Sequence, residues 1–314
     1  MALAAYPRSA LEDYLAHGPG WWDASDWGRL FLAGPGVTDY LHSQTSQQLR
    51  ELPVGQSTLT TFLSATAHLL DLVTLLRVDT EAWWLITSPG SRSTLIPWIQ
   101  RLLQFSRQSR LEDRSDTTQM VRVLGSPPPP TFPAWVIADA GLGCGGLTVW
   151  VEQEFAPHLH RWLAGIPKLT EADWQVARVV RGLPAWGAEI TPDYNPLEAG
   201  LWQAISLQKG CYIGQEVLAK QTTYQRLRQR LWGLVLHQPV PPGSPITIAG
   251  HKEGVVTSCV SLADQVVGLG YVRTKTGQAG TAVQVGPTQG LLFQPPYLSF
   301  PQWRDGPEAD QTRK

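Results

Sequence analysis

From Leu231 onward the sequence is written in short segments where apolar residues alternate with small or polar ones, each closed by turn formers. They are 231–236, 245–249, 254–258, 266–271 and 281–285. A period of two sends successive side chains to opposite faces of a strand. Strands this short cannot shield a core singly; they must pair edge to edge and curl. The sequence therefore predicts a small all-β unit, a β-barrel, over 231–305.

Upstream the texture is mixed. Strands are expected at 29–33, 57–63, 69–78, 82–87, 121–124, 135–138 and 147–151, where β-branched and apolar residues cluster between turn signals. Helical spacing appears at 11–15, from a Thr38 N-cap to Leu49, and at 93–105, 155–163, 171–180 and 196–207. The run Pro127–Pro128–Pro129–Pro130 excludes a helix or inner strand and reads as a stiff connector. The last residues, 306–314, are polar and read as a disordered tail.

Charge is nearly balanced, with 25 Lys and Arg against 26 Asp and Glu. That leaves no electrostatic footprint for nucleic acid or an anionic membrane. The longest apolar run, 134–140, is well below the ~18 residues of a membrane span. The first residues lack a basic n-region followed by an apolar core, so no signal peptide is expected. Cys144, Cys211 and Cys259 are scattered and odd in number, which suits a reducing, cytoplasmic setting. Fourteen tryptophans allow two readings: core packing, or a wall for a flat heterocycle.

Some signals carry little. Gly141-Leu-Gly-Cys-Gly-Gly146 has dinucleotide-loop spacing, but a strand-like segment follows it instead of a helix, so a hairpin or loop is expected. His158 and His160 read as a solvated helix end; Cys144 and Cys259 read as small core residues.

The stretch 195–220 holds the chemistry. Glu198 follows Pro196 and would sit in the first turn of a helix, where the dipole favours a carboxylate. Its oxygens could accept two parallel N–H bonds; alternatively it is an ordinary first-turn acid. In Lys209-Gly210-Cys211-Tyr212-Ile213-Gly214-Gln215-Glu216, two glycines permit tight turns. The Lys209 ammonium near Cys211 would favour a thiolate, unless the cysteine is simply buried and inert. Arg226, Arg228 and Arg230 are either solvated or hold an anionic group.

The motif 209–216 is similar, at each fixed position, to the signature of YgfZ-type folate-binding proteins, a branch of the glycine-cleavage T-protein superfamily. Asn195-Pro196-x-Glu198-x-Gly200-Leu201 resembles the wider superfamily, as do segments 20–25, 40–44, 254–258 and 268–272. Ser46-Gln47-Gln48, Ala67-His68 and Gly36 depart from the usual pattern, and Asp71, near the aspartate of the aminomethyltransferases, is left without a role. The resemblance implies an α+β fold: a multi-lobed, T-protein-like arrangement around a central cavity, with two intertwined lobes in 1–230 and the C-terminal β-barrel. It implies tetrahydrofolate, or a one-carbon-substituted derivative, as cofactor. Glu198 would recognise the pterin. Lys209, Tyr212, Gln215 and Glu216 would shape the site, Arg230 would hold the glutamate tail, and Cys211 would be the functional thiol. The implied role is assistance to iron–sulfur cluster assembly or repair in client proteins. The alternative is folate-dependent aminomethyl or methyl transfer.

Overall fold

The computed structural model describes residues 20–300 except 104–107, 140, 142 and 144. The helix expected at 11–15, the tail 306–314 and Cys144 lie outside the described residues.

Three sheets organise the chain. The first is antiparallel, in the order β3 (Ser57–Leu63), β4 (Leu69–Asp79), β5 (Ala82–Thr87), β2 (Gly28–Ala33), β6 (Arg110–Asp113). Alternation divides its residues cleanly. Leu30, Leu32, Val73, Leu75, Trp83 and Leu85 pack under α1 (Val37–Gln44) and α2 (Arg92–Leu103), while Leu72, Leu76, Trp84 and Ile86 point the other way, into a central core. The second sheet runs β1 (Gly20–Asp23), β7 (Thr118–Leu124), β9 (Leu147–Glu152), β8 (Trp135–Ile137). Val121, Val123, Val149 and Val151 meet Leu159 of α3 (Ala156–Trp162); Met120, Leu124 and Trp150 join the central core. β1 belongs to this sheet while β2 lies in the first, so the two sheets alternate along the sequence. β8 and β9, which flank the glycine-rich segment, pair antiparallel; Leu142 and Cys144 of that segment lie outside the described residues.

The third sheet is a closed barrel in the order β10 (Gln229–Leu236), β13 (Val266–Arg273), β12 (His251–Ser261), β11 (Pro245–Ile248), β14 (Ala282–Val285), β15 (Thr288–Phe293). It has one strand more than the sequence pattern marked. Trp232, Leu234 and Leu236 fill it, whereas Leu231, Leu269 and Tyr271 project outward into the central core. Inside the barrel, Gly270 is required by space: a Cβ there would lie 2.8 Å from Ile246 Cδ1.

Local corrections follow from tertiary bonding. Segment 196–207 is not a helix but turns ending in a short 3-10 turn, Trp202–Ala204. The Asn195 side chain accepts from the N–H groups of Leu197 (3.0 Å) and Glu198 (3.1 Å), and Gly200 turns left-handed (φ 71°). Helix α1 ends at Gln44, where Thr45 is extended. Thr38 does not cap it; its hydroxyl donates to the Thr80 carbonyl instead (2.7 Å). A helix the spacing did not mark, α5 (Gln215–Thr223), follows the 209–214 loop.

Candidate functional site

Helix α4 (Glu171–Arg181) begins with a reciprocal cap: Asp173 N–H donates to Thr170 Oγ1 (3.2 Å) and Thr170 N–H to Asp173 Oδ2 (2.8 Å). Trp174 and Arg178 lie one turn apart and share a face. That face meets the β1–β2 turn, and Trp174 stacks on Trp22 (centroids 4.5 Å, 28°) with Trp27 edge-on (6.3 Å). The chain leaving α4 brings in Leu183, Pro184, Ala185 and Trp186; the Trp186 N–H donates to Leu70 O (3.2 Å) and its ring covers Gly90. Ser88 and Pro89 complete the ring of walls.

These walls enclose a cavity of about 160 Å³. Four indoles line it (Trp22, Trp27, Trp174, Trp186), with three carboxylates (Asp23, Asp26, Glu171) and Arg178. A second, shallower cleft of about 350 Å³ shares Trp22, Asp23 and Glu171 with it and is bordered by Lys168. Desolvation raises the Asp26 pKa from its ordinary value against a hydrogen bond from its own backbone; the charges of Glu171 and Asp23 add to the rise, while Arg122 opposes it. The Trp22 indole N–H is buried without a hydrogen-bond partner.

Arg178 is held from behind. Its Nη1 donates to Glu189 Oε2 (3.2 Å), its Nη2 to Ser258 Oγ (2.9 Å) and its Nε to Gln175 Oε1 (2.5 Å). Glu189 is fully buried and accepts also from Ala185 N–H (2.9 Å), Thr257 Oγ1 (2.6 Å) and Ser258 Oγ (2.6 Å). One carboxylate thus ties the cavity wall to barrel strand β12. Sequence spacing gave no sign of Glu189, an isolated acid between Ala188 and Ile190.

The motif 209–216 lies elsewhere. Lys209 is buried, and its Nζ donates to the carbonyls of His42, Thr45 (2.6 Å) and Gln47 (2.8 Å), sitting 4.8 Å from the Tyr212 ring centre. It clamps the chain just beyond α1. Tyr212 is buried, which pushes its pKa up to about 12. Gln215 donates to Lys209 O (3.2 Å), so it closes the loop on itself. Glu216 faces solvent and pairs with Lys220 one turn on (2.6 Å). Cys211 is exposed at the loop surface. The loop is pinned by Ile213 N–H to Ser43 O (3.1 Å) and by Gly214, left-handed at φ 82° and pressed against Ser64 and Ala67. Gly214→Ala would bring a Cβ within 3.0 Å of Ala67 Cα and strain the turn. A loss of about 1–3 kcal/mol in urea unfolding is the expected outcome.

Glu198 is buried beside the first barrel strand, β10. Its carboxylate accepts from Asn195 N–H (3.3 Å), and its carbonyl accepts from Leu231 N–H (2.9 Å). Burial raises its pKa, against the pull of Asn195, Gln229, Arg228 and His68. A full helix dipole is missing here because the turn is not continued. The Arg230 guanidinium lies 5.2 Å from the Phe300 ring centre. Neither of the two cavities is lined by Glu198, Arg230 or any residue of 209–216.

Asp71 is fully buried on β4. It accepts from Leu72 N–H (2.8 Å), Ser88 N–H (3.0 Å) and Ser91 Oγ (2.6 Å), and so fixes the turn that supplies Ser88 and Pro89 to the cavity. Burial lifts its pKa to about 6 against those hydrogen bonds. His158 and His160 are exposed on α3, and Cys259 is half-buried in β12.

Comparison with known proteins agrees with the architecture. Residues 14–128 match the model of the GCVT N-terminal domain. The chain is 29% identical over 316 residues to a chloroplastic protein of Arabidopsis thaliana that is named as a transferase with no stated substrate, covering 88% of this chain and 71% of that one. It is 24% identical over 318 residues to an aminomethyltransferase of Symbiobacterium thermophilum, covering 88% and 85%. The crystal structure of glycine cleavage system aminomethyltransferase T from Bartonella henselae superposes with a TM-score of 0.80 at 20% identity, over 94% of this chain and 91% of that one. The fold is thus that of the T-protein, multi-lobed and mixed α and β, with a closed C-terminal barrel. Among the described residues, no helix is long and apolar enough to cross a membrane.

Proposed function

We propose that the chain is a tetrahydrofolate-binding accessory protein serving the assembly or repair of iron–sulfur enzymes, with the pterin seated in the tryptophan-walled cavity. One observation carries this reading: four indoles and the carboxylate of Asp26 converge on one hollow of ring size. A cavity of ~150 Å³ holds a single benzene. A bicyclic pterin would therefore occupy this one and project toward the adjoining cleft. Its flat faces stack on indoles. Its edge offers N3–H and a 2-amino group, a pair of donors that one carboxylate can accept in parallel. Asp26 is in the cavity wall and Glu198 is not, so Asp26 is the favoured acceptor. Bound tetrahydrofolate would supply a carrier for one-carbon units.

Cys211 stands outside this hollow, exposed on a loop braced by Lys209, Tyr212 and Gln215. A single thiol provides one of the ~four ligands a cluster needs. In this reading it meets a client or assembly protein and does not hold a cluster alone. The names of the relatives favour a second reading, folate-dependent aminomethyl transfer. Against it, Asp71, the carboxylate nearest in sequence to the transferase aspartate, is already engaged by three donors.

Calorimetric titration with tetrahydrofolate tests the seat of the pterin. Asp26→Asn should weaken binding roughly ten- to a hundred-fold, the effect of a lost bond to a charged acceptor. Glu198→Gln should change it by less than about threefold. The reverse ranking would move the pterin to Glu198, and no saturation by the wild type would sink the reading.

A further inference from the structure

We propose that the cavity selects its ligand by charge: among reduced folates it prefers the form whose one-carbon bridge between N5 and N10 is a cationic amidinium, the methenyl form, over the neutral forms. This rests on the pterin occupying the tryptophan-walled cavity.

Three carboxylates, Asp23, Asp26 and Glu171, border the hollow. The one cationic side chain in its wall, Arg178, is matched by Glu189 from behind (3.2 Å). Lys168 borders only the outer cleft, with its Nζ 5.1 Å from the Trp21 ring centre. Arg122 lies over Trp27 at 3.5 Å, and Asp139 is the strongest of the charges that act on it. What remains facing the ligand is negative.

The walls reinforce that sign. Indole faces carry the negative side of the ring quadrupole, and tryptophan is the best of the aromatic residues for holding a cation within about 6 Å. Arg122 over Trp27 shows a cation already using one such face. A planar, delocalised amidinium fused to the pterin suits stacked indoles better than a compact, strongly hydrated ammonium does, because it gives up less hydration on entry. The unpartnered Trp22 N–H asks for an acceptor as well, which the pterin carbonyl offers. Asp23 and Glu171 already accept from the Ser25 N–H (3.0 Å) and the Gln175 side-chain amide (2.7 Å), but both partners are neutral. A neutral reduced folate could still stack and meet Asp26, but it would bring no charge to set against theirs.

The test compares affinities within one protein. Methenyl-tetrahydrofolate, tetrahydrofolate and 5-methyl-tetrahydrofolate are titrated in mildly acidic buffer, where the bridge survives, following quenching of tryptophan fluorescence. The methenyl form should bind at least about tenfold tighter than either neutral form. That ratio should shrink with added salt and fall towards one in the double variant Asp23→Asn, Glu171→Gln. Equal affinities in the wild type overturn the charge preference and leave the folate reading standing. A ratio that persists in the double variant overturns it too. Binding of none of the three overturns the folate reading itself.

Discussion

Glu189→Ala should lower the stability of the fold by about 3–5 kcal/mol, the range for stripping one partner from a buried ion pair. Glu189 is fully buried, and its carboxylate receives Arg178, the Ala185 amide and the hydroxyls of Thr257 and Ser258. Removing it leaves the Arg178 guanidinium, itself 8% exposed, without its carboxylate and takes that acceptor from the Ser258 hydroxyl and the Ala185 amide, while Thr257 keeps the Leu269 carbonyl (3.1 Å). Solvent cannot readily repair this, because α4 lies directly against β12 and β13. For a chain of this size the loss corresponds to a fall in Tm of roughly 6–20 °C. The damage should also reach the cavity, since Ala185 and Arg178 both line it. Replacing the pair together, Arg178→Met with Glu189→Leu, should recover much of the stability, as apolar residues of similar volume often do for a buried pair. Equilibrium urea unfolding of the two variants checks both statements. A single-variant loss under about 1 kcal/mol would mean that the network does not hold barrel and lobe together.

Lys209→Met should cost about 2–5 kcal/mol and release the thiol loop. The ammonium offers three N–H donors, and three carbonyls, those of His42, Thr45 and Gln47, receive them. Each buried carbonyl left without a donor costs about 1–3 kcal/mol, reduced where water can enter. Because the same residue anchors the turn before Cys211, the variant thiol should react faster with a maleimide, a change that a purely global loss of stability corrected for unfolding would not produce. The pH dependence has a definite sign. Burial, with Arg50 adding to it, lowers the Lys209 pKa from 10.5 to about 7, against the three carbonyls that favour the ammonium. Over that interval the unfolded chain holds the proton more tightly than the folded one. Wild-type stability should therefore rise as pH goes from about 7 towards 10.5, and the Met variant should lack that increment.

Much of the chain's local grammar was legible. Alternation in 231–285 and in the strands at 57–63, 69–78 and 82–87 predicts which residues are paired in sheets, because a strand's two faces see different surroundings whatever packs on them. Helix α4 was legible from its apolar spacing over 171–180, while its Thr170 cap came only with the structure. The motif 209–216 pointed to a constrained loop, and the loop is one, but its lysine, tyrosine and glutamine brace the backbone and do not line either cavity.

What the sequence could not express was where those pieces meet. Segment 196–207 has helical spacing, yet the Asn195 side chain and the long-range hydrogen bond from the Leu231 N–H to the Glu198 carbonyl hold it in turns. The cavity draws on Ser88 and on Trp22, Trp174 and Trp186, which come from separate stretches of the chain; the three tryptophans are indistinguishable, by spacing alone, from the others that fill the core. Glu189 stood alone until packing gave it four donors. Hydrogen-bond patterns and alternating burial act between near neighbours, so the residue order carries them. The docking of α4 across two sheets and a barrel acts between residues whose separation along the chain bears no relation to their contact, and only the assembled core decides it.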